Sequence, residues 1–338
     1  MGEILTLNTI VKVDKANMLG HLMRFPEMCE EALSAEVELP DVKPASVVVA
    51  GMGGSGIVGD ILNDWLDLNV PFDVCKSYKL PAWVGEKSLV IAISYSGNTE
   101  ETLTCVLEAV EKNARLVTIT SGGRLEEICK KQGKPCIKIP SGLAPRAALP
   151  YSLFSAIRAF EKVGLAIGKD GEIKESIELL RTIREEMAPE RENNQAKHVA
   201  RMINGTIPII YAPIHLRGVA IRLKNQFNEN SKIISKTEFF PELCHNEIVG
   251  LSSAPKNLSF LFLRDAEESK QMKKQIEFTK KLLGGRNSTA IWARGKGKLA
   301  RILSLVYLGD FISFYLAILR GVDPTPVPEI ARLKAETS

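Results

Sequence analysis

The feature that most constrains this chain is residues 94–102, SYSGNTEET. It follows the apolar run 88–93 and precedes a helical pattern through Leu103, Val106, Leu107 and Val110. A strand that ends in closely spaced hydroxyls and then turns into a helix presents Ser94, Ser96 and Thr99 together with free backbone N–H groups and the positive end of the helix dipole. Such a turn suits a phosphate. Ser96, Asn98 or Thr99 could equally be an ordinary N-cap, with Glu100, Glu101 and Thr102 filling the first turn.

A second turn weighs against that plainer reading. The run 46–50 (SVVVA) leads into GMGGSGIVGD, which contains Gly51, Gly53, Gly54, Ser55, Gly56, Gly59 and Asp60. It is another strand-to-helix crossing at which backbone can approach a ligand closely. The spacing is not a dinucleotide G-x-G-x-x-G with an acidic residue closing the next strand, and no Gly-Lys-Ser/Thr triplet follows to make a nucleotide-binding P-loop.

Around these turns the chain alternates short β-branched runs with helical stretches. Strands are expected at 47–49, 72–74, 89–93, 116–119 and 136–139, and again at 207–211, 232–235, 258–263 and 289–292. Helices are expected at 215–227, 272–283 and 299–319. Buried strands separated by helices predict α/β units with doubly wound parallel sheets, in which ligands sit beyond the carboxyl ends of the strands. The 338 residues, 45% hydrophobic, suffice for two such units. The expected divisions are an amino-terminal helical segment (1–45) covering the first sheet, a first domain (46–165), a connecting helix (166–205), a second domain (206–320) and a tail (321–338). The apolar stretch 299–319 is punctuated by Arg301 and Asp310 and reads as a buried helix rather than a membrane span.

The 44 Lys and Arg against 40 Asp and Glu are scattered, which leaves no footprint for nucleic acid or an anionic membrane. The expected partner is a small molecule. The six cysteines form no C-x-x-C pair and have no His at zinc spacing, so they read as buried thiols, with no metal and no cofactor expected. The amino end, MGEILTLNTIVKVDK, lacks the pattern of a secretory signal, so a cytoplasmic protein is expected.

GGSGIVGD followed about forty residues later by SYSGNTEET resembles the sugar isomerase (SIS) domain, which binds phosphosugars by these two turns. The resemblance extends to PRAAL at 145–149, to an Asn-Glu pair ending in Glu229, to His245 in an H-N-E loop sixteen residues on, and to DPTPV at 323–327. It is closest to the bifunctional phosphoglucose/phosphomannose isomerases. It implies two SIS domains in three α/β/α layers, and substrate held by Gly53, Gly54, Ser55, Ser94, Ser96 and Thr99. It further implies that Glu229 is the base, that His245 opens the sugar ring from a neighbouring subunit of a homodimer, and that Arg146 stabilises the intermediate. Lys334 resembles the family's second ring-opening residue, and Thr325 its small neighbour, which leaves room for both C2 epimers.

The reaction explains these residue types. Aldose–ketose isomerisation of a 6-phosphosugar needs an opened ring, a proton moved between C2 and C1, and a stabilised enediolate. A carboxylate can carry the proton, an imidazole can give and accept near neutrality, and a guanidinium supplies fixed positive charge. From residue type alone, Glu229 could simply end a helix, His245 could hydrogen-bond in a polar loop, and Arg146 could be an ion-pair partner. Glu242 and Glu247 flank the His loop and read as capping or supporting groups, and His21, His198 and His215 as structural or exposed. A phosphosugar sensor is the alternative, but the chain carries no helix-turn-helix extension. An amino-sugar phosphate isomerase would normally bring an amidotransferase half, which is absent from this sequence.

Overall fold

The computed structural model describes residues 5–35, 39 and 43–337. Parts of the expected amino-terminal segment (1–4, 36–38 and 40–42) and the last residue of the expected tail lie outside the described residues. The chain clusters into two compact units. One comprises residues 24–178 and 297–300, the other residues 1–23, 179–296 and 301–338.

Three helices open the chain, α1 (Leu7–Val13), α2 (Met18–Met23) and α3 (Phe25–Ser34). They do not act as one cover for the first sheet. α1 and α2 belong to the unit built on the second sheet, and only α3 joins the first, where it packs on α7 (Leu149–Lys162). The helix boundary between α2 and α3 is set locally: the first turn of α3 carries Pro26, which fits a helix start and cannot continue a preceding one.

In the first unit β1 (Ser46–Ala50), β2 (Phe72–Cys75), β3 (Ser88–Ile93), β4 (Arg115–Thr120) and β5 (Cys136–Lys138) form a parallel sheet in the order β2-β1-β3-β4-β5. β1 and β3 are buried along their whole length, as expected of strands covered on both faces. The crossovers are α4 (Gly53–Trp65), α5 (Glu100–Glu111) and α6 (Gly123–Gln132). α6 stops at Gly133 in the left-handed conformation (φ 59°), which lets its last carbonyls be satisfied without a Cβ penalty.

The second unit contains α9 (Gln195–Ile203), β6 (Ile207–Pro213), α10 (Arg217–Glu229), β7 (Lys236–Phe240), β8 (Leu258–Arg264), α11 (Lys270–Leu282) and β9 (Ser288–Trp292), while α8 (Asp170–Met187) precedes them in the chain. The strands run parallel in the order β7-β6-β8-β9. The expected parallel α/β architecture is present in both halves. One strand is misplaced by the sequence: 232–235 is not extended pairing, and β7 starts at Lys236. Lys232 sits at φ 56°, and Asn230 and Ser231 are tied by hydrogen bonds to Ser313, so the chain turns before it can pair with β6.

α12 (Lys298–Leu319) is long and apolar enough to cross a membrane, with a mean hydropathy of 2.0 in its most apolar window, but 94% of that window is buried inside the protein. It is the core helix that the sequence suggests. α13 (Pro328–Thr337) closes the chain as an exposed helix.

Candidate active site

The first sheet reverses its winding between β1 and β3: β1 leads through α4 to β2 on one side, and β3 through α5 to β4 on the other. A crevice opens at such a switch point beyond the strand ends. Both glycine- and hydroxyl-bearing turns lie there, and they are close: a Cβ added at Gly51 would stand 2.9 Å from the carbonyl oxygen of Ile93. Only glycine permits that approach.

Neither helix that starts at this crevice is capped by a side chain. α4 follows Met52, which makes no side-chain cap, and its first residue, Gly53, has φ 50°. Ser55 is buried in the same first turn. α5 follows Thr99, whose side chain does not cap it either. The Ser94 hydroxyl donates to Thr99 Oγ1 at 3.0 Å, leaving the Thr99 O–H to donate elsewhere. Ser96 is exposed and its Oγ accepts from the Asn98 N–H at 3.3 Å. The ordinary N-cap reading of Thr99 is therefore replaced by a hydroxyl pair beside two open rows of backbone N–H groups.

The turn is rigid from below. Gly97, at φ 69°, lies so near β4's exit that a Cβ there would meet the Gly122 carbonyl oxygen at 1.7 Å. The Ser121 hydroxyl donates to the Tyr95 carbonyl at 2.6 Å, and the Tyr95 phenol accepts from the Leu143 N–H at 2.7 Å. Tyr95 thus links the hydroxyl-bearing turn to the segment that leads into the 3₁₀ turn Pro145–Ala148.

That 3₁₀ turn carries Arg146, which is 3% exposed. A Cβ at Gly54 would meet the Arg146 Cα at 3.1 Å and the Pro145 carbonyl oxygen at 3.3 Å, so the glycine turn and the PRAA turn are in backbone contact. The structure brings Gly53, Gly54, Ser55, Ser94, Ser96, Thr99 and Arg146 together in one unit.

It also adds two residues that the sequence left without a role. Asp60, the last residue of GGSGIVGD, is buried and ion-paired to Lys76, the residue after β2. The Lys76 side chain runs over the first turns of α4, with Cε 3.0 Å from where a Gly56 Cβ would be. The signal for this was present: an acidic residue inside an otherwise apolar glycine motif needs a buried partner.

The remaining candidates lie in the other unit. Glu229 is the last residue of α10 and half-buried, and its carbonyl accepts from Lys232 Nζ, which also donates to the Pro324 carbonyl at 3.2 Å. Lys232 therefore joins the carboxyl end of α10 to the segment carrying Thr325, which is half-buried with its N–H donating to Asp323 Oδ1 at 2.9 Å. His245 ends the short 3₁₀ helix Glu242–His245 and is exposed. Lys334 is exposed on α13. Glu242 accepts from Asn246 Nδ2 at 2.9 Å, and Glu247 accepts from the buried Tyr211 hydroxyl, whose pKa burial and that carboxylate push up. These two carboxylates support the loop.

Residues 42–129 match the SIS domain, and residues 192–336 match the bacterial phospho-glucose isomerase C-terminal SIS domain. A bifunctional phosphoglucose/phosphomannose isomerase of Caldicellulosiruptor bescii is 41% identical over 94% of this chain and 98% of its own length. One of Thermoplasma acidophilum is 38% identical over 87% and 90%. A D-glucosamine-6-phosphate 4-epimerase of Sulfolobus acidocaldarius is 35% identical over 69% and 72%. Among solved structures, a glucose-6-phosphate isomerase like protein from Thermus thermophilus shares the fold with a TM-score of 0.65 at 22% identity, covering 98% of this chain and 99% of that one. With two glycine- and hydroxyl-lined crossings at one switch point and near-full-length relatives of this identity, the chain belongs to the bifunctional phosphoglucose/phosphomannose isomerase family.

Proposed function

We propose that this protein is a metal-independent aldose–ketose isomerase that interconverts glucose 6-phosphate and mannose 6-phosphate with fructose 6-phosphate through an enediolate. The observation that carries the reading is the pair of uncapped helix starts at the β1/β3 switch point, with Arg146 held against the Gly54 turn. Backbone N–H groups of α4 and α5, with the hydroxyls of Ser55, Ser94, Ser96 and Thr99, bind the phosphate.

Glu229 takes the proton from C2 and returns it to C1. Both aldoses pass through the same planar enediolate, because C2 loses its configuration there, and one base position serves both epimers if the pocket lets the C2–C3 bond turn so that either face of C2 meets the carboxylate. Thr325, with its small side chain, provides that room. Arg146 stabilises the developing oxyanion; its burial keeps competing water from screening the charge. His245 and Lys334 move protons during ring opening. The exposure of His245 on its own chain supports its supply to a neighbouring copy in a homodimer. The two SIS domains are taken as residues 46–165 and 206–320, and the protein as cytoplasmic.

The test is direct: purified protein with EDTA is incubated with each aldose phosphate, and fructose 6-phosphate is assayed. Turnover of both supports the reading, and turnover of Glu229→Gln at the wild-type rate removes the base assignment. Glucosamine 6-phosphate belongs in the same series because of the epimerase relative. Stabilisation by a phosphosugar without any product would indicate a sensor instead.

A further inference from the structure

One face of α10 is polar although it is buried. Arg222, Gln226 and Asn230 recur every four residues, are each no more than 3% exposed, and face Asp310 and Ser313 of α12. Arg222 grips Asp310 with two bonds, Nε to Oδ1 at 3.0 Å and Nη2 to Oδ2 at 2.6 Å. Gln226 Nε2 donates to the same Oδ1 at 2.7 Å. Below them Asn230 Nδ2 donates to Ser313 Oγ at 2.9 Å, Ser313 Oγ donates to the Asp310 carbonyl at 2.8 Å, and the Ser231 hydroxyl donates to the Ser313 carbonyl at 2.7 Å. Arg320 Nε closes the series on the Ser231 carbonyl at 2.9 Å.

Stability alone does not explain such a seam. Most of the rest of the α12 window is apolar, and a buried ion pair is commonly matched or bettered by well-packed hydrophobic side chains of similar volume. What the polar seam does supply is direction. Apolar contacts allow one helix to slide or roll on another by a fraction of an ångström, whereas a two-pronged guanidinium–carboxylate contact fixes both axial position and rotation. Glu229 stands three residues after Gln226 and one before Asn230, so whatever fixes those two side chains fixes its backbone.

We propose that Arg222, Asp310 and Gln226, with Asn230 and Ser313, are positioning residues for the Glu229 carboxylate. They hold α10 in the one register that places the carboxylate for proton transfer between C2 and C1. The inference rests on Glu229 being the transfer base. A transfer base must stand within reach of two adjacent carbons, and a misplacement of about 1 Å lowers turnover by about a hundredfold. The seam acts on kcat and not on phosphate recognition, because none of its members lies at the first sheet.

The experiment replaces the whole Arg222–Asp310–Gln226 cluster by apolar side chains of similar size, Arg222→Met with Asp310→Leu and Gln226→Leu so that no buried amide is left unpaired, in the full-length protein. Steady-state kinetics, thermal unfolding and the fraction of C2 deuterium retained at C1 of the product are measured together. The expected result is a kcat at least about tenfold lower with KM within about twofold, an unfolding temperature no lower than wild type, and a lower retained fraction. Unchanged kcat and unchanged retention overturn the proposal and leave the base assignment standing. If that variant does not fold, Ser313→Ala serves: kcat should fall several-fold at unchanged KM and be restored by Ser313→Thr, and full kcat in Ser313→Ala overturns the proposal. Glu229→Gln is measured alongside, and wild-type turnover in that variant defeats the underlying reading separately.

Discussion

The carboxyl edges of the two sheets offer a controlled comparison. Both sheets are parallel and both reverse their winding between the first and third strand in sequence, β1/β3 in one and β6/β8 in the other. At the first edge the chain places glycines and hydroxyls and leaves two helix starts without side-chain caps. At the second, the same position is occupied by charge. His215, just after β6, stands 3.7 Å from Asp265, just after β8, and Arg301 donates to that carboxylate at 3.1 Å while pairing with Glu267 at 2.6 Å. Arg264 grips Glu268 at 2.8 Å and lies 4.6 Å over the Trp292 ring. The fold supplies two crevices of the same kind. Side-chain choice leaves one with open helix starts and uses the other to tie strand ends together.

If that contrast is right, changes of polar side chains at the first edge alter substrate binding, changes of polar side chains at the second alter stability, and the glycine backbone that builds the first edge affects both. The largest effect is expected from Gly97→Ala. A methyl group would clash with the Gly122 carbonyl at 1.7 Å in a left-handed conformation, so denaturant unfolding should show a loss of about 4 kcal/mol, with weaker binding in whatever remains folded. Next comes Asp265→Asn, which leaves Arg301 short of a buried counter-charge. It should cost about 3 kcal/mol by the same measurement, and KM for fructose 6-phosphate should stay within about twofold. A large change in KM there would show that the second edge also serves the substrate.

The pH dependence is a smaller probe. Burial pushes the Asp265 carboxyl up, but His215, the Glu267 N–H and Arg301 outweigh it and hold the pKa at about 2. The folded value lies below the unfolded one, so this carboxylate stabilises the protein fully above pH 3.8 and loses that contribution as pH falls through about 2. Acid unfolding curves should show about 2 kcal/mol of stability lost across that window in the wild type, and this component should be missing from Asp265→Asn. Smallest is Thr99→Val at the first edge. Removing the hydroxyl that receives the Ser94 bond should raise KM about tenfold with unfolding changed by less than about 1 kcal/mol.

The strands were legible because their signal is local. SVVVA and the run 88–93 become fully buried strands, and nearly every other expected strand falls within a residue or two of its place. The exception is instructive. Residues 232–235 contain two adjacent isoleucines and look like a strand, yet Ile234 is 71% exposed, because the preceding residues are claimed by Ser313. The two strand-to-helix turns were legible for the same local reason, since hydroxyls and glycines between a strand and a helix leave few other conformations. The Lys76–Asp60 pair and the seam on α10 were not legible, because each joins residues whose approach depends on how helices pack on sheets.

By itself the sequence determined the alternating parallel architecture, the two glycine- and hydroxyl-bearing turns and, through family resemblance, the residues expected to act on the sugar. Periodicity and turn chemistry act over a few residues, and there the chain has little freedom. The tertiary structure alone decided that Arg146 lies against Gly54, that Arg222 meets Asp310 across 88 residues of chain, and that the second switch point is filled by ion pairs. Contacts of that span are set by close packing of whole elements, whose side-chain partners are fixed only when the core has formed.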